Sequence, residues 1–245
     1  MITKNQIKYI KDLSQKSFRT QEKKFVVEGE KLLIELLQSE VTIDTIYALP
    51  TWADANPNVA VTIISEKELS RISQLKSPNK VLAVVYTFED EIGDDLSNGL
   101  TLFLDRINDP GNFGTIIRMA DWFGVNKIVC TSKSVDVYNS KVIQSSMGSV
   151  YRIPVFYVEP DTFFSQYKSQ FPENAIIGAA MDGETLAEVN LPENGLLVMG
   201  SESHGISEEI ESHVTKSVTI PNLGQAESLN VAVATGIILW EWRRG

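Results

Sequence analysis

The sequence predicts an α/β protein of two parts, a small α/β unit over residues 1–95 and a larger one over 96–245 built on a mainly parallel sheet. Short apolar runs alternate with segments of helical period along most of the chain, the pattern of parallel strands covered on both faces by helices. A chain of 245 residues is long enough for one large core or two modest ones. Between the two parts, Glu89, Asp90, Glu91, Asp94 and Asp95 crowd around Ile92 and Gly93 and interrupt the apolar pattern, which marks a boundary.

After an opening helix-like segment, Phe25–Glu28 reads as a strand and Lys31–Leu37 as a helix. Ile43–Ala48, Val59–Ile64 and Val81–Phe88 read as strands, with Glu66–Gln74 helical between the last two. In the second part strands are expected at Leu100–Asp105, Lys127–Cys130, Ile153–Tyr157, Ala175–Ala179, Leu196–Met199 and Ser217–Ile220, with helices between most of them. From Leu229 to Trp240 the chain is apolar almost all round, as in a helix buried on most sides, and Ala232 and Gly236 permit close backbone packing.

Composition narrows the function. Cys130 stands alone, which excludes an intrachain disulfide and a Cys-rich zinc cluster, and His204 and His213 lack metal-ligand spacing, so no metal is expected. The first residues carry lysines and no apolar run, and Val231–Trp240 is too short to span a bilayer. A reducing, cytoplasmic setting without a membrane partner is the expectation. The net charge of −10 argues at first against a nucleic-acid partner. It conceals an asymmetry, because residues 1–24 hold seven basic groups (Lys4, Lys8, Lys11, Lys16, Arg19, Lys23 and Lys24) against two acidic ones. Such a run is either a solvated helix face or an arm that contacts RNA phosphates.

Ligands of parallel sheets bind beyond the carboxyl ends of the strands, which directs attention to three loops. In the first, Asp109-Pro110-Gly111-Asn112 is turn chemistry and a helix should begin at about Asn112. Gly114 and Arg118 share a face of that helix, so the guanidinium can lie near free amides and receive a phosphate; it can equally be a surface arginine. The spacing does not match the GxGxxG of dinucleotide sites. In the second, an apolar strand runs into Met199-Gly200-Ser201-Glu202-Ser203-His204-Gly205, whose glycines let backbone approach a ligand. Glu202 can orient a donor or stand as an exposed loop acid, and His204 reads better as an exposed loop histidine than as a general base. In the third, Ile220-Pro221 leads through Glu227-Ser228-Leu229-Asn230 into the last helix, with Ser228 a candidate N-cap and Asn230 bonding nearby backbone.

Taken in order, these loops resemble the motifs of the SpoU (TrmH) family of RNA ribose 2′-O-methyltransferases, within the SPOUT superfamily. The likeness spans about residues 99–244 and rests on Asn112-x-Gly114-x-x-x-Arg118, on Met199 to Glu202 with Gly205, and on Ile220-Pro221 through Ser228-Leu229-Asn230. The stretch Phe25-Val26-Val27-Glu28-Gly29-Glu30-Lys31 resembles the ribosomal-protein-like substrate-binding domain that often precedes this catalytic domain. The resemblance implies a trefoil-knotted methyltransferase fold, S-adenosylmethionine as methyl donor, and a homodimer. It implies catalytic roles for Asn112, Arg118, Glu202, Ser228 and Asn230, and a cofactor site formed by Met199, Gly200, Ser201, Gly205, Ile220 and Leu229.

A guanidinium holds its proton too tightly to be a ready base, so Arg118 is expected to bind phosphate and stabilise the developing alkoxide, with Ser228 and Asn230 orienting the ribose. Ser201 stands where the family often has Asn, and Ser203-His204 precedes Gly205 where another glycine often begins that pair. Ribosomal RNA is favoured over transfer RNA as substrate. Two other readings are a noncatalytic RNA-binding protein on the same fold, and a base methyltransferase using Glu227. The retained polar set, with Ser-Leu-Asn after Glu227, favours ribose methylation. With RNA as partner, the N-terminal basic run reads as a contact arm, and Lys4, Lys8, Lys11, Arg19, Lys23 and Lys24 are its candidates.

Overall fold

The computed structural model describes residues 2–88, 92 and 99–244. By internal contacts the chain divides into Met1–Glu89 with Asp136–Tyr151, and Asp90–Val135 with Arg152–Gly245. Asp136–Tyr151 therefore packs with the first unit although chain order puts it in the second. Apart from Ile92, the acidic stretch read as a boundary lies outside the described residues.

In the first unit the basic opening segment forms two helices, α1 (Lys4–Asp12) and α2 (Lys16–Glu22). A reciprocal cap between Thr3 and Gln6 starts α1, which buries Ile7 and Ile10 and turns Lys4, Lys8 and Lys11 outward. There follow β1 (Lys24–Glu28), α3 (Glu30–Leu37), β2 (Ile43–Ala48), α4 (Pro50–Ala55), β3 (Thr62–Ile63), α5 (Glu66–Ile72) and β4 (Val81–Tyr86). The sheet order is β1-β4-β2-β3, with β4 antiparallel to both neighbours and β3 parallel to β2. Ile10 and Leu13 pack with Leu69 and Ile72 of α5 against Val26, Leu82 and Val84 of the sheet. The strand expected over Val59–Ile64 shrinks to two residues, because only Thr62 and Ile63 find partners on β2. Helix α4 was not expected; Pro50 occupies its first turn, where a missing N–H costs nothing.

The second unit holds β5 (Leu100–Leu104), α6 (Pro110–Trp122), β6 (Lys127–Thr131), β7 (Val155–Val158), α8 (Pro160–Gln170), β8 (Ala175–Thr185), β9 (Gly195–Met199), α9 (Glu208–Glu211), β10 (Lys216–Thr219) and α10 (Val231–Arg244); α7 (Ser140–Ser146) belongs to the first unit. Its sheet is parallel in every pairing, in the order β10-β8-β9-β5-β6-β7. The central strands β5 and β9 are buried at every residue, as expected of a sheet covered on both faces. Helix α10 lies against α6 at Gly236, where a Cβ would sit 2.7 Å from the Met119 sulfur. The expectation that α10 is buried on most sides holds for one face only. Val231, Thr235, Ile238, Leu239 and Trp242 are covered, whereas Val233, Ile237 and Trp240 form an exposed stripe. Among the described residues no helix is long and apolar enough to cross a membrane.

Candidate active site

Strands β5, β9 and β10 end on one edge of the sheet and release the three loops. Helix α6 starts two residues earlier than its apolar period suggests. Asp109 adopts an extended backbone and accepts the Asn112 N–H at 2.8 Å, while Pro110 supplies a preset first turn. This cap fixes Asn112 in the first turn of α6 with its side chain free to reach outward.

The second loop closes on itself. Ser201 N–H donates to the Gly205 carbonyl at 3.0 Å and Gly205 N–H returns to Ser201 at 2.9 Å, a two-bond hairpin directly after β9. Gly205 has φ +61°, a conformation that glycine adopts without steric cost. Gly200 is required for a different reason, since a Cβ there would lie 2.1 Å from the Gly205 carbonyl carbon and 2.3 Å from the Ile206 nitrogen. The chain thus folds back closely over bare backbone.

The third loop is exposed from Pro221 to Asn230 and is braced by Asn222, which donates to the Ala226 carbonyl and accepts from Gly224 N–H. Asn230, rather than Ser228, caps α10: its Oδ1 accepts from Ala232 N–H at 3.0 Å and Val233 N–H at 3.3 Å. Together the second and third loops enclose a cleft of about 700 Å³, within the range of small-molecule sites. All six residues expected to bind cofactor, Met199, Gly200, Ser201, Gly205, Ile220 and Leu229, line it.

Glu202 and Ser228 also line the cleft. Asn112 Nδ2 donates to Glu202 Oε1, and Asn230 Nδ2 donates to Asn112 Oδ1 at 2.9 Å. One chain of hydrogen bonds therefore joins the three loops across 118 residues of sequence, running from the cap of α10 through the first turn of α6 to a carboxylate on the cleft. Its direction leaves Glu202 as the terminal acceptor, with Oε2 still available. Asn230 thus uses its Oδ1 and one Nδ2 hydrogen within the protein, and its second Nδ2 hydrogen has no such bond among the described residues.

Similarity to known proteins follows this geometry. The model of the SpoU rRNA Methylase family matches residues 99–240, and that of the MRM3-like substrate binding domain matches residues 4–83. The chain belongs to the SpoU rRNA methylase family. A 23S rRNA (guanosine(2553)-2′-O)-methyltransferase of Bacillus subtilis is 30% identical over 98% of this chain and 97% of its own. Among solved structures, a putative RNA methyltransferase of the TrmH family from Porphyromonas gingivalis superposes with a TM-score of 0.90 at 36% identity, over 100% of this chain and 99% of that one. An AdoMet-bound rRNA methyltransferase from Sinorhizobium meliloti gives a TM-score of 0.87 at 28% identity, over 100% and 96%.

Not every expected residue of this SpoU methylase joins the site. Arg118 is exposed, does not line the cleft, and has no hydrogen-bond or ion-pair partner among the described residues. His204 lines the cleft, with Nδ1 2.7 Å from the Ser203 hydroxyl. In the first unit, the assignment of Arg19 to an RNA-contacting surface is corrected: its side chain is 6% exposed, pairs with Asp136 and donates to the Leu13 and Ser14 carbonyls. Lys24 is half-buried, bonded to Asp44 at 2.8 Å and lying over the Tyr86 ring. Lys4, Lys8, Lys11 and Lys23 remain exposed. Sequence reasoning missed Asp105, a buried carboxylate immediately after β5; the visible signal was an acid directly following the all-apolar end of a central strand.

Proposed function

We propose that this SpoU-family protein transfers a methyl group from S-adenosylmethionine to the 2′-hydroxyl of a ribose in ribosomal RNA. The observation that carries the reading is the Asn230–Asn112–Glu202 chain ending on a cleft that the second and third loops build. The cleft suits the cofactor. Gly200 lets the hairpin fold tightly against β9's end, Gly205 supplies its left-handed turn, and Ile220, Leu229 and Val231 give apolar walls for a flat base. When bound there, S-adenosylmethionine supplies an electrophilic methyl carbon on a sulfonium centre.

A ribose hydroxyl is a weak nucleophile, so the protein must hold it in line with the methyl and take up its proton. Ser228 hydrogen-bonds the ribose and Glu202 accepts from it, roles supported by the lining of the cleft by both residues and by the Asn112 bond to Glu202. Arg118, exposed and without a hydrogen-bond or ion-pair partner among the described residues, serves an RNA phosphate. Ribosomal rather than transfer RNA is supported by the matched family's description and by the B. subtilis relative. Residues 1–95 bind substrate and 96–245 carry out the reaction, a division supported by the separate matches at 4–83 and 99–240.

The protein acts in the cytoplasm as a homodimer with a trefoil-knotted C-terminal segment. Dimerisation is supported by the exposed stripe Val233, Ile237 and Trp240 and by Trp122, 83% exposed, at the end of α6 against which α10 packs. The test is to map ribose methylation across the stable RNAs of cells with and without the gene. Loss of one or a few 2′-O-methyl marks in ribosomal RNA is expected; an unchanged map would overturn ribose methylation and leave the noncatalytic and base-methylating readings.

A further inference from the structure

Asp105 stands just beyond β5, is 1% exposed, and plays no part in the chemistry above. Its backbone N–H donates to the Met199 carbonyl at 2.9 Å, and its carboxylate accepts the Ser207 N–H at 2.8 Å. Met199 and Ser207 are the residues immediately before and after the Gly200–Ile206 segment that holds the cofactor hairpin. One residue thus grips the hairpin at both ends. The next residue adds a third hold: Arg106 Nε lies 3.2 Å from both Asp105 oxygens and Nη2 lies 3.5 Å from the Gly205 carbonyl.

Arg106 has φ +56°, a left-handed conformation that costs a side-chain-bearing residue free energy. The surroundings impose it. Thr131 Oγ1 accepts the Arg106 N–H at 3.1 Å and Ser134 Oγ accepts the Ile107 N–H at 3.2 Å, both hydroxyls belonging to buried residues. A glycine would take the same turn without strain, yet an arginine stands there, and its conformation directs the guanidinium back over Asp105 toward the hairpin. Strain that is held in place next to a site calls for a role in that site.

We propose that Asp105 and Arg106 are positioning residues that clamp the S-adenosylmethionine hairpin in its binding shape. The proposal rests on the cofactor assignment above for its ligand, but the clamp itself is a property of the free protein. Its test uses the full chain as Asp105→Asn and Arg106→Gly. Asparagine keeps the size of Asp105 and loses the ion pair; glycine relieves the strained φ and removes the guanidinium, so at least one folded variant is available.

In the free protein, hydrogen exchange of the segment 200–207 should accelerate about tenfold or more, the effect of losing one charge-assisted hydrogen bond, while α6 and β6 keep their protection. Calorimetric Kd and kinetic KM for S-adenosylmethionine should rise by a similar factor, with kcat and RNA affinity within about threefold of the parent. A purely structural defect would lower the active fraction and leave KM untouched. Unchanged exchange and unchanged cofactor affinity in the folded variants would overturn the clamp. So would lost RNA affinity with cofactor affinity retained, which would make Arg106 a phosphate contact. If the parent protein bound no S-adenosylmethionine while exchange still responded, the clamp would stand and the methyltransferase reading would fall.

Discussion

Gly200→Ala is the smallest change that should disable the cofactor cleft. The added Cβ would lie 2.1 Å from the Gly205 carbonyl carbon and 2.3 Å from its oxygen, where ordinary contact begins at 3.4 Å. These are backbone atoms, so no rotamer change relieves the overlap, and the hairpin must move by about 1.3 Å. Its two bonds, at 3.0 and 2.9 Å, would then exceed hydrogen-bonding range. Losing both costs about 1–3 kcal/mol. A penalty near 2 kcal/mol lowers Tm by about 4–8 °C in a chain of this length. If about 2–3 kcal/mol of cofactor binding goes with the hairpin's shape, Kd rises about 30- to 150-fold. Gly224→Ala is the internal control, since Gly224 also lines the cleft but its Cβ would meet nothing nearer than 3.9 Å. Calorimetric titration of S-adenosylmethionine into both variants, with thermal melts, separates the cases. Near-parental affinity in Gly200→Ala, or equal damage in Gly224→Ala, would refute the close-approach argument.

Asn112→Asp should lower kcat about a hundredfold or more while cofactor affinity persists, because a carboxylate cannot donate to Glu202 and instead repels it; single-turnover kinetics would read this. Arg19→Ala should cost about 3–5 kcal/mol in urea denaturation by stranding Asp136, whereas Lys4→Glu, Lys8→Glu and Lys11→Glu together should spare stability, weaken RNA binding and flatten its salt dependence. Burial raises the Glu28 carboxyl above its ordinary range against the opposing bonds from Ser73 and Gln74. The folded state therefore holds that proton to higher pH than the unfolded chain, and stability falls as pH rises through the interval between the two values. Glu28→Gln should remove this slope in denaturation series from pH 4 to 8, and an unchanged slope would dismiss the assignment. Ile237→Asp should shift the protein toward monomer in sedimentation without unfolding it, since Ile237 is exposed in the single chain.

The site was legible in the sequence to the extent that its chemistry is contiguous. Each loop carries its polar residues within about ten positions of a strand end, so residue type and local period suffice to mark them. What joins them is not local. The Asn230–Asn112 bond spans 118 residues, and nothing in the order of residues distinguishes it from two independent caps. The same limit hid Arg19, which composition counts as one more surface cation; only the fold shows Asp136 closing over it, in a segment that chain order assigns elsewhere. Asp105 was hidden because an acid after a strand ordinarily opens a solvated turn, and its burial depends on Ser207, 102 residues away. The exposed face of α10 was misread for the converse reason. An all-round apolar helix reports total burial, and the single chain covers only the face that meets its own sheet and α6.

Ribose methylation can be read by incubating the purified protein with S-adenosylmethionine and ribosomal RNA, then digesting the RNA to nucleosides for mass spectrometry. The expected result is a gain of one 2′-O-methylnucleoside, abolished by Glu202→Gln and Ser228→Ala. Methyl on a base, or no transfer despite tight cofactor and RNA binding, would contradict it.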